Sequence, residues 1–311
     1  MAGVITTGNN PAFLLPGVTK VFGDAYNQLP TMFDKIFETH TSSRAYEERT
    51  LMHGLGLATQ KNEGSSITYD DMKQQWTQRY KHVTYGTGFI ITEEEMEDNQ
   101  AEEVAAMRAK ELKLAHIRRK ETVAANILNN GFDSNFTHGD GVELLATNHP
   151  TLIGNQSNEL STAADLSEAA LEQAHIDIRN MKDQRGNRIA VSPIMLIVPA
   201  DLEPTASRLL MSNLRPDTAN NDINFMNGRI RNGILVDQYL TDTDAWFLKT
   251  DISNGLEHHT RREMRVELDN DFDTSNAKFK ATARYSFGAT DWRGIFGSPG
   301  EIGRASCRER V

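Results

Sequence analysis

Apolar and polar positions follow different periods along this chain, and the changes of period divide it. Leu166, Ala170, Ala174, Ile178 and Met181 recur every three to five residues, a stripe that predicts one buried face of a helix. QRGNR breaks that helix, and the run IAVSPIMLIVP reads as a buried strand. Asp201 then stands where it could cap a helix over LEPTASRLLMS, followed by a Pro/Asn-rich loop, NLRPDTANNDIN. GILVDQYL and DAWFLKTD are further strand candidates. Near the end the period falls to two. Phe279, Ala281, Ala283, Tyr285 and Phe287 alternate with Lys278, Lys280, Thr282, Arg284 and Ser286, and Val266 and Leu268 alternate with Arg265, Glu267 and Asp269. Two long strands, each with one wet face, account for that pattern.

The first half is organised differently. Residues 51–91 predict an extended hairpin: GLGLATQ, a turn-like KNEG, a short strand candidate SSITYDD, and the aromatic, β-branched run QRYKHVTYGTGFIIT. A polar two-stranded hairpin is marginal in water, so this one needs a partner surface. Thr92 and Glu95 form a capping box, with Glu93, Glu94, Glu97 and Asp98 crowding the first turns where the helix dipole favours negative charge. Met96, Val104, Met107, Leu114, Ile117, Ala124 and Leu128 keep helical spacing, and Gly131 stands at the expected C-cap. A helix that long spans roughly 58 Å at 1.5 Å per residue. Its second half carries Arg108, Lys110, Lys113, Arg118, Arg119 and Lys120 against Glu111 and Glu121. This is either a solvated face aligned with the dipole or a head-to-tail contact with a neighbouring subunit.

Residues 1–50 read as an arm. Val18, Phe22 and Tyr26 suggest a short amphipathic helix, and Met32, Phe33, Ile36 and Phe37 form a second apolar cluster after Pro30. At the other end, EIGRASCRERV (residues 301–311) is what a common short-read sequencing adapter encodes when read as codons, so the native chain is expected to end near Gly300. That tail holds the single cysteine, Cys307, and one more cation than anion.

Composition narrows the function classes. The 311 residues are 38% hydrophobic, enough for one large domain or two smaller ones. Without Cys307 there is no disulfide framework and no thiolate site. No apolar run approaches the roughly 18 residues of a membrane span, and MAGVITTGNNPAFLLPG lacks the features of a signal peptide. A net charge of −10 argues against a nucleic-acid binder working through a large basic face.

The catalytic and ligand motifs are missing. There is no phosphate loop, no H-E-x-x-H and no G-x-S-x-G, and Gly86 and Gly88 form a lone G-x-G. His258 and His259, adjacent in a strand, point to opposite faces and read as a surface pair rather than joint ligands. Asp269, Asp271 and Asp273 imitate half a calcium loop, but Thr274 and Lys280 occupy the positions that need Gly and Glu, so a solvated turn is expected. No cofactor, metal or catalytic residue is assigned.

The order arm, polar hairpin, long helix, α/β segment and returning strands resembles the major capsid proteins of tailed bacteriophages, with the Hong Kong 97-type fold. YGTGFIITEEEMEDN is similar to the junction of extended loop and spine helix in Mu-like head subunits. The segment from LSEAALEQAHIDIRNMKDQRGNR to VPADLEPTASRLL resembles the family's axial-domain pattern, and LVDQYLTDTDAWFLKTD and ATDWRGIFG resemble its later strands.

The resemblance implies an α+β fold made of an arm (1–50), an extended loop (51–91), a peripheral domain with the spine helix (92–150), an axial domain (151–250) and returning peripheral strands (251–300). It implies a structural, non-enzymatic subunit of a virion, built from hexamers and pentamers in the host cytoplasm and enclosing double-stranded DNA without sequence-specific contacts or a membrane. Partners would be further copies, a separate scaffolding protein, a portal and a decoration protein. The expected inter-subunit contacts are Phe33, Phe37, Tyr69, Trp76, Tyr80, Tyr85, Arg118 and Arg119. Some relatives crosslink through a loop lysine. Lys61, Lys73 and Lys81 lie on this loop, but no acid and asparagine partner is identified, so that reaction is not assigned. The rival readings are an encapsulin-like cellular shell and an α+β enzyme of unknown type.

Overall fold

The computed structural model describes residues 31–93, 101–214, 223–270 and 275–300. The first sheet has the strand order β1-β10-β11-β4, formed by β1 (Glu38–Thr41), β10 (Leu256–Asn270), β11 (Ala277–Ala289) and β4 (Val83–Ile91). β1 runs parallel to β10, whereas β10–β11 and β11–β4 are antiparallel. The alternation in β11 decides its faces. Phe279, Ala281, Ala283 and Tyr285 are buried, while Lys278 and Lys280 are exposed. The long helix α2 (Ala101–Asn129) lies along the apolar side. Its His116 ring sits 3.0 Å from the Ala281 carbonyl, which fixes the helix register on the strand. At 1.5 Å per residue its 29 residues span roughly 44 Å.

The second sheet has the order β12-β9-β7-β8, from β12 (Ile295–Ser298), β9 (Trp246–Thr250), β7 (Pro193–Val198) and β8 (Ile234–Val236). β7 is apolar at nearly every position because both its faces are covered. Leu196 and Val198 pack with α3 (Glu168–Arg179) and α4 (Glu203–Met211), while Met195 and Ile197 face a different cluster. That cluster joins Phe33, Ile36 and Phe37, on and just after α1 (Phe33–Ile36), to Ala124 and Leu128 at the end of α2. The end of the long helix is thereby wedged between the two sheets. The predicted stripe is met in full, for Leu166, Ala170, Ala174, Ile178 and Met181 are all buried in the core around α3. Ser167 caps that helix by accepting from the Ala170 N–H.

A buried polar staple closes the second unit. Asn158 Nδ2 donates to the carbonyls of Leu144 (2.8 Å), Trp292 (3.0 Å) and Ile295 (3.1 Å). Its Oδ1 accepts from the Ala146 N–H at 2.9 Å and lies 3.0 Å from His149 Nε2. His149 Nδ1 in turn meets Asp140 Oδ2 at 2.7 Å, with the ring stacked on Trp292. Gly255 and Gly294 cross back to back nearby; a Cβ on Gly255 would lie 2.6 Å from the Gly294 Cα, so neither position accepts a side chain.

Several local expectations are corrected. Asp201 lies in a 3₁₀ turn (Ala200–Leu202), and α4 starts with Leu202 at the N-cap and no side-chain cap. Pro204 in the first turn supplies the start signal instead. GILVDQYL contributes only the three residues of β8, because Asp237 turns the chain by accepting from the Tyr239 N–H at 2.9 Å. QRYKHVTYGTGFIIT is not one strand. It breaks at His82 into the end of β3 (Gln74–Lys81) and the whole of β4, which belong to different sheets. SSITYDD forms no strand, and β3 pairs instead with β2 (Tyr46–Met52). The supposed surface pair His258 and His259 is buried, because the start of the inner strand β10, Leu256 to Thr260, is covered on both faces, while its later residues keep one wet face. Val18, Phe22, Tyr26, Glu95, Met96, Asp271 and Asp273, and the side chains of Val104 and Met107, fall outside the described residues.

Asn158→Ala is expected to lower the unfolding free energy by about 3 kcal/mol, since the Ala146 N–H, His149 Nε2 and the Leu144, Trp292 and Ile295 carbonyls lose a buried partner at once. The urea midpoint measures it, and an unchanged midpoint contradicts the staple.

Candidate assembly interface

The surface least satisfied by its own chain is the loop between β2 and β3. The ladder runs from Tyr46↔Lys81 to Met52↔Gln74 and is extended by the His53 N–H donating to the Lys73 carbonyl at 3.2 Å. Past Gly56 and Asp70, the tip of the loop makes few internal bonds among the described residues: Thr59 and Thr68 hydroxyls at 3.1 Å and a turn at Asn62–Ser65. Apolar side chains stand in solvent there. Leu57 is 81% exposed and Tyr69 86%, and Leu55, Ile67 and Met72 are also exposed. A loop that spends apolar residues on water while lacking a core carries the mark of a contact surface.

The root of the loop is by contrast rigidly seated on the first sheet. Tyr80 is buried, with its hydroxyl 2.6 Å from Thr290 Oγ1, and Trp76 Nε1 donates to the Thr290 carbonyl at 3.2 Å. Arg49 Nε donates to Glu257 Oε2 at 3.1 Å, and His259 Nε2 reaches the same oxygen at 2.8 Å. Burial raises the Glu257 carboxyl, but the His259 and Arg49 contacts outweigh it and leave the group below its usual range. Burial pushes the Tyr80 phenol up and the His82 imidazole down. His82 lies between the Ser286 and Ser42 hydroxyls, each at 3.0 Å.

The family model of the phage capsid protein matches residues 74–297, from β3 to the last strand of the second sheet. The chain belongs to the phage capsid protein family. The capsid of bacteriophage JBD30 shares its fold with a TM-score of 0.57 at 15% identity, over 77% of this chain and 100% of that one. A structure from Mycobacterium phage Patience aligns with a TM-score of 0.56 at 10% identity, covering 96% and 89%. A virus-like particle from Pyrococcus furiosus aligns with a TM-score of 0.51 at 11% identity, covering 91% and 98%. No match is found among curated proteins. The chain is therefore a structural shell component of a phage virion, a major capsid protein.

In this capsid protein the residues expected at subunit contacts separate into three groups. Tyr69, Arg118 and Arg119 are exposed. Phe33, Phe37 and Tyr80 are buried inside the subunit, so their surface is already used. Phe33 and Phe37 meet Phe287 edge-on at 5.7 and 5.0 Å. Trp76 and Tyr85 are half-buried. Tyr85 stacks on Tyr285 at 4.8 Å, with the Arg119 guanidinium 5.2 Å from its ring centre. The sequence reading missed Leu55, Leu57, Ile67 and Met72, whose signal was simply apolar residues in a segment without strand alternation.

His258 contributes to the acid sensitivity of this subunit, together with His82, His116, His138 and His175, whose imidazoles burial also pushes down. Its ring stacks on Phe287 at 4.4 Å and meets Phe33 at 5.1 Å. Burial, with the Lys120 ammonium and the rings of His259 and His40 behind it, pushes the imidazole down to about 3. The unfolded chain binds this proton from about pH 6.5 downward, while the folded chain resists it until near pH 3. The stability it confers is thus complete above pH 6.5 and is lost progressively as pH falls towards 3. His258→Phe, which keeps the ring stack, should flatten the slope of urea midpoint against pH across that window; an unchanged slope counts against the assignment.

Proposed function

We propose that this subunit builds the icosahedral head of a tailed bacteriophage, as a Mu-like major head protein with the Hong Kong 97-type fold. It assembles in the host cytoplasm into hexamers and pentamers that enclose double-stranded DNA. In this reading 151–250 is the axial domain and 92–150 with 251–300 the peripheral domain; the expected arm (1–50) and extended loop (51–91) are redrawn around the β2–β3 ribbon, because β1 (Glu38–Thr41) and β4 (Val83–Ile91) belong to the first sheet. The observation that carries it is the loop between β2 and β3, rooted firmly in the subunit yet exposing Leu57 and Tyr69, with no surface among the described residues to cover them. A neighbouring copy supplies that surface. Many such contacts multiplied over a closed shell give stability without any single tight interface. A scaffolding protein, a portal and a decoration protein complete the assembly.

An encapsulin-like shell is the second reading, favoured by the likeness to the Pyrococcus furiosus particle. The content of the particles separates the two, packaged DNA against an enclosed enzyme.

Electron microscopy of residues 1–300, expressed alone and with the neighbouring genes, is expected to show closed shells, tubes or capsomer rings. A stable monomer under both conditions overturns the proposal. Deleting residues 57–69 should leave the subunit's melting temperature unchanged while abolishing closed particles. Particles that form without the loop tip remove the loop from the assembly contact.

A further inference from the structure

One guanidinium ties the root of the extended loop to the second unit. Arg185 lies in the turn after α3. Its Nη1 pairs with Asp70 Oδ2, its Nη2 donates to the Asp71 carbonyl at 2.6 Å, and its Nε lies 3.1 Å from His53 Nδ1. Asp70 Oδ2 also accepts from the Gly56 N–H at 2.7 Å, so Arg185 bonds both arms of the loop just where the β2–β3 ladder ends. Gly56 leaves the room for this: a Cβ there would sit 3.1 Å from Arg185 Nη1.

The guanidinium is itself aimed. Asp183 Oδ1 accepts from the N–H groups of Arg185 and Asn187, both at 2.8 Å, and its Oδ2 accepts from the Asn187 amide at 2.8 Å. That turn is rigid, and Gly186 within it adopts a positive φ of 87°. Arg293 Nε ties the preceding residue to the body of the protein by donating to the Lys182 carbonyl at 2.9 Å. The Asp70 carboxyl is held low, at about 2, by the Gly56 N–H and Arg185. The contact therefore persists through the neutral range.

A β-ribbon seated on one sheet alone can pivot about that seat. Tyr80 and Arg49 seat this ribbon on the first sheet, Trp76 packs against the core around α3, and Arg185 adds a hydrogen-bonded fixed point where the β2–β3 ladder ends. Two points define a direction. We propose that Arg185 is a positioning residue that sets the angle at which the extended loop leaves the subunit, and through it the curvature of the shell. The proposal rests on the shell reading above. A planar fork reaching a carboxylate, a carbonyl and an imidazole from one side chain is a task for arginine, and a lysine in its place keeps only a point charge near Asp70.

The test compares wild type, Arg185→Ala and Arg185→Lys in the full chain. In the unassembled subunit, trypsin cleavage after Lys73 reports opening of the loop root, because the Lys73 backbone pairs with His53. Cleavage after Lys61, at the free tip, is the internal control. Arg185→Ala should speed the cut after Lys73 by roughly tenfold, the order expected for losing hydrogen bonds to a charged group. The cut after Lys61 and the melting temperature should stay as in wild type, and Arg185→Lys should fall between. In assembly, Arg185→Ala should give particles of altered or heterogeneous diameter. Wild-type shells matched in diameter by Arg185→Ala, or an unchanged cut after Lys73, overturn the role of Arg185 alone. Wild-type chains that never assemble overturn the shell reading, which separates the two failures.

Discussion

The end of α2 is buried between two sheets, and most of the molecule depends on that wedge. Ala124 and Leu128 meet Phe33, Ile36 and Phe37 on one side and Met195, Ile197, Phe247 and Ile295 on the other. Polar groups complete it: Glu121 accepts from the Met32 and Phe33 N–H groups at 2.9 and 3.2 Å, and Lys249 Nζ donates to the Lys35 carbonyl at 2.9 Å. Burial holds the Glu121 carboxyl high and the Lys249 ammonium low. With the helix end held there, the remainder of α2 must run along β11, and the β2–β3 ribbon must leave from the opposite face of the first sheet.

In the proposed shell the ribbon turns this rigid frame into an assembly device. Its root buries Tyr80 and bonds to residues of the first sheet and of the second unit, while its tip keeps apolar side chains in water. This division is the reverse of what a folding unit would choose for itself. The proposed shell accounts for it by covering the tip with a neighbouring copy. Membership in the phage capsid protein family supplies the context, since a shell offers each subunit neighbours in fixed positions.

Much of the frame was legible in the sequence, because periodicity reports burial. The five-residue stripe of α3, the doubly buried β7 and the wet-faced strands β10 and β11 all occur where the pattern put them. The break at His82 was not legible: β3 and β4 have one continuous strand-like composition, and only their pairing with different partners separates them. The histidine pair failed for a related reason. Strand alternation correctly sends His258 and His259 to opposite faces, but whether a face is wet depends on what another part of the chain lays over it.

The sequence by itself determined the long helix, α3, α4 and the strands β7, β10 and β11 with their apolar faces, because those properties depend on neighbours within a turn or two. Its motifs also carried the resemblance to capsid subunits. The tertiary structure alone decided that Phe33, Phe37 and Tyr80 serve the subunit's own core while Leu57 and Tyr69 do not, and that Arg185 meets Asp70 across 115 residues of chain. Contacts at that separation depend on how the sheets pack, and no local pattern of residues encodes them.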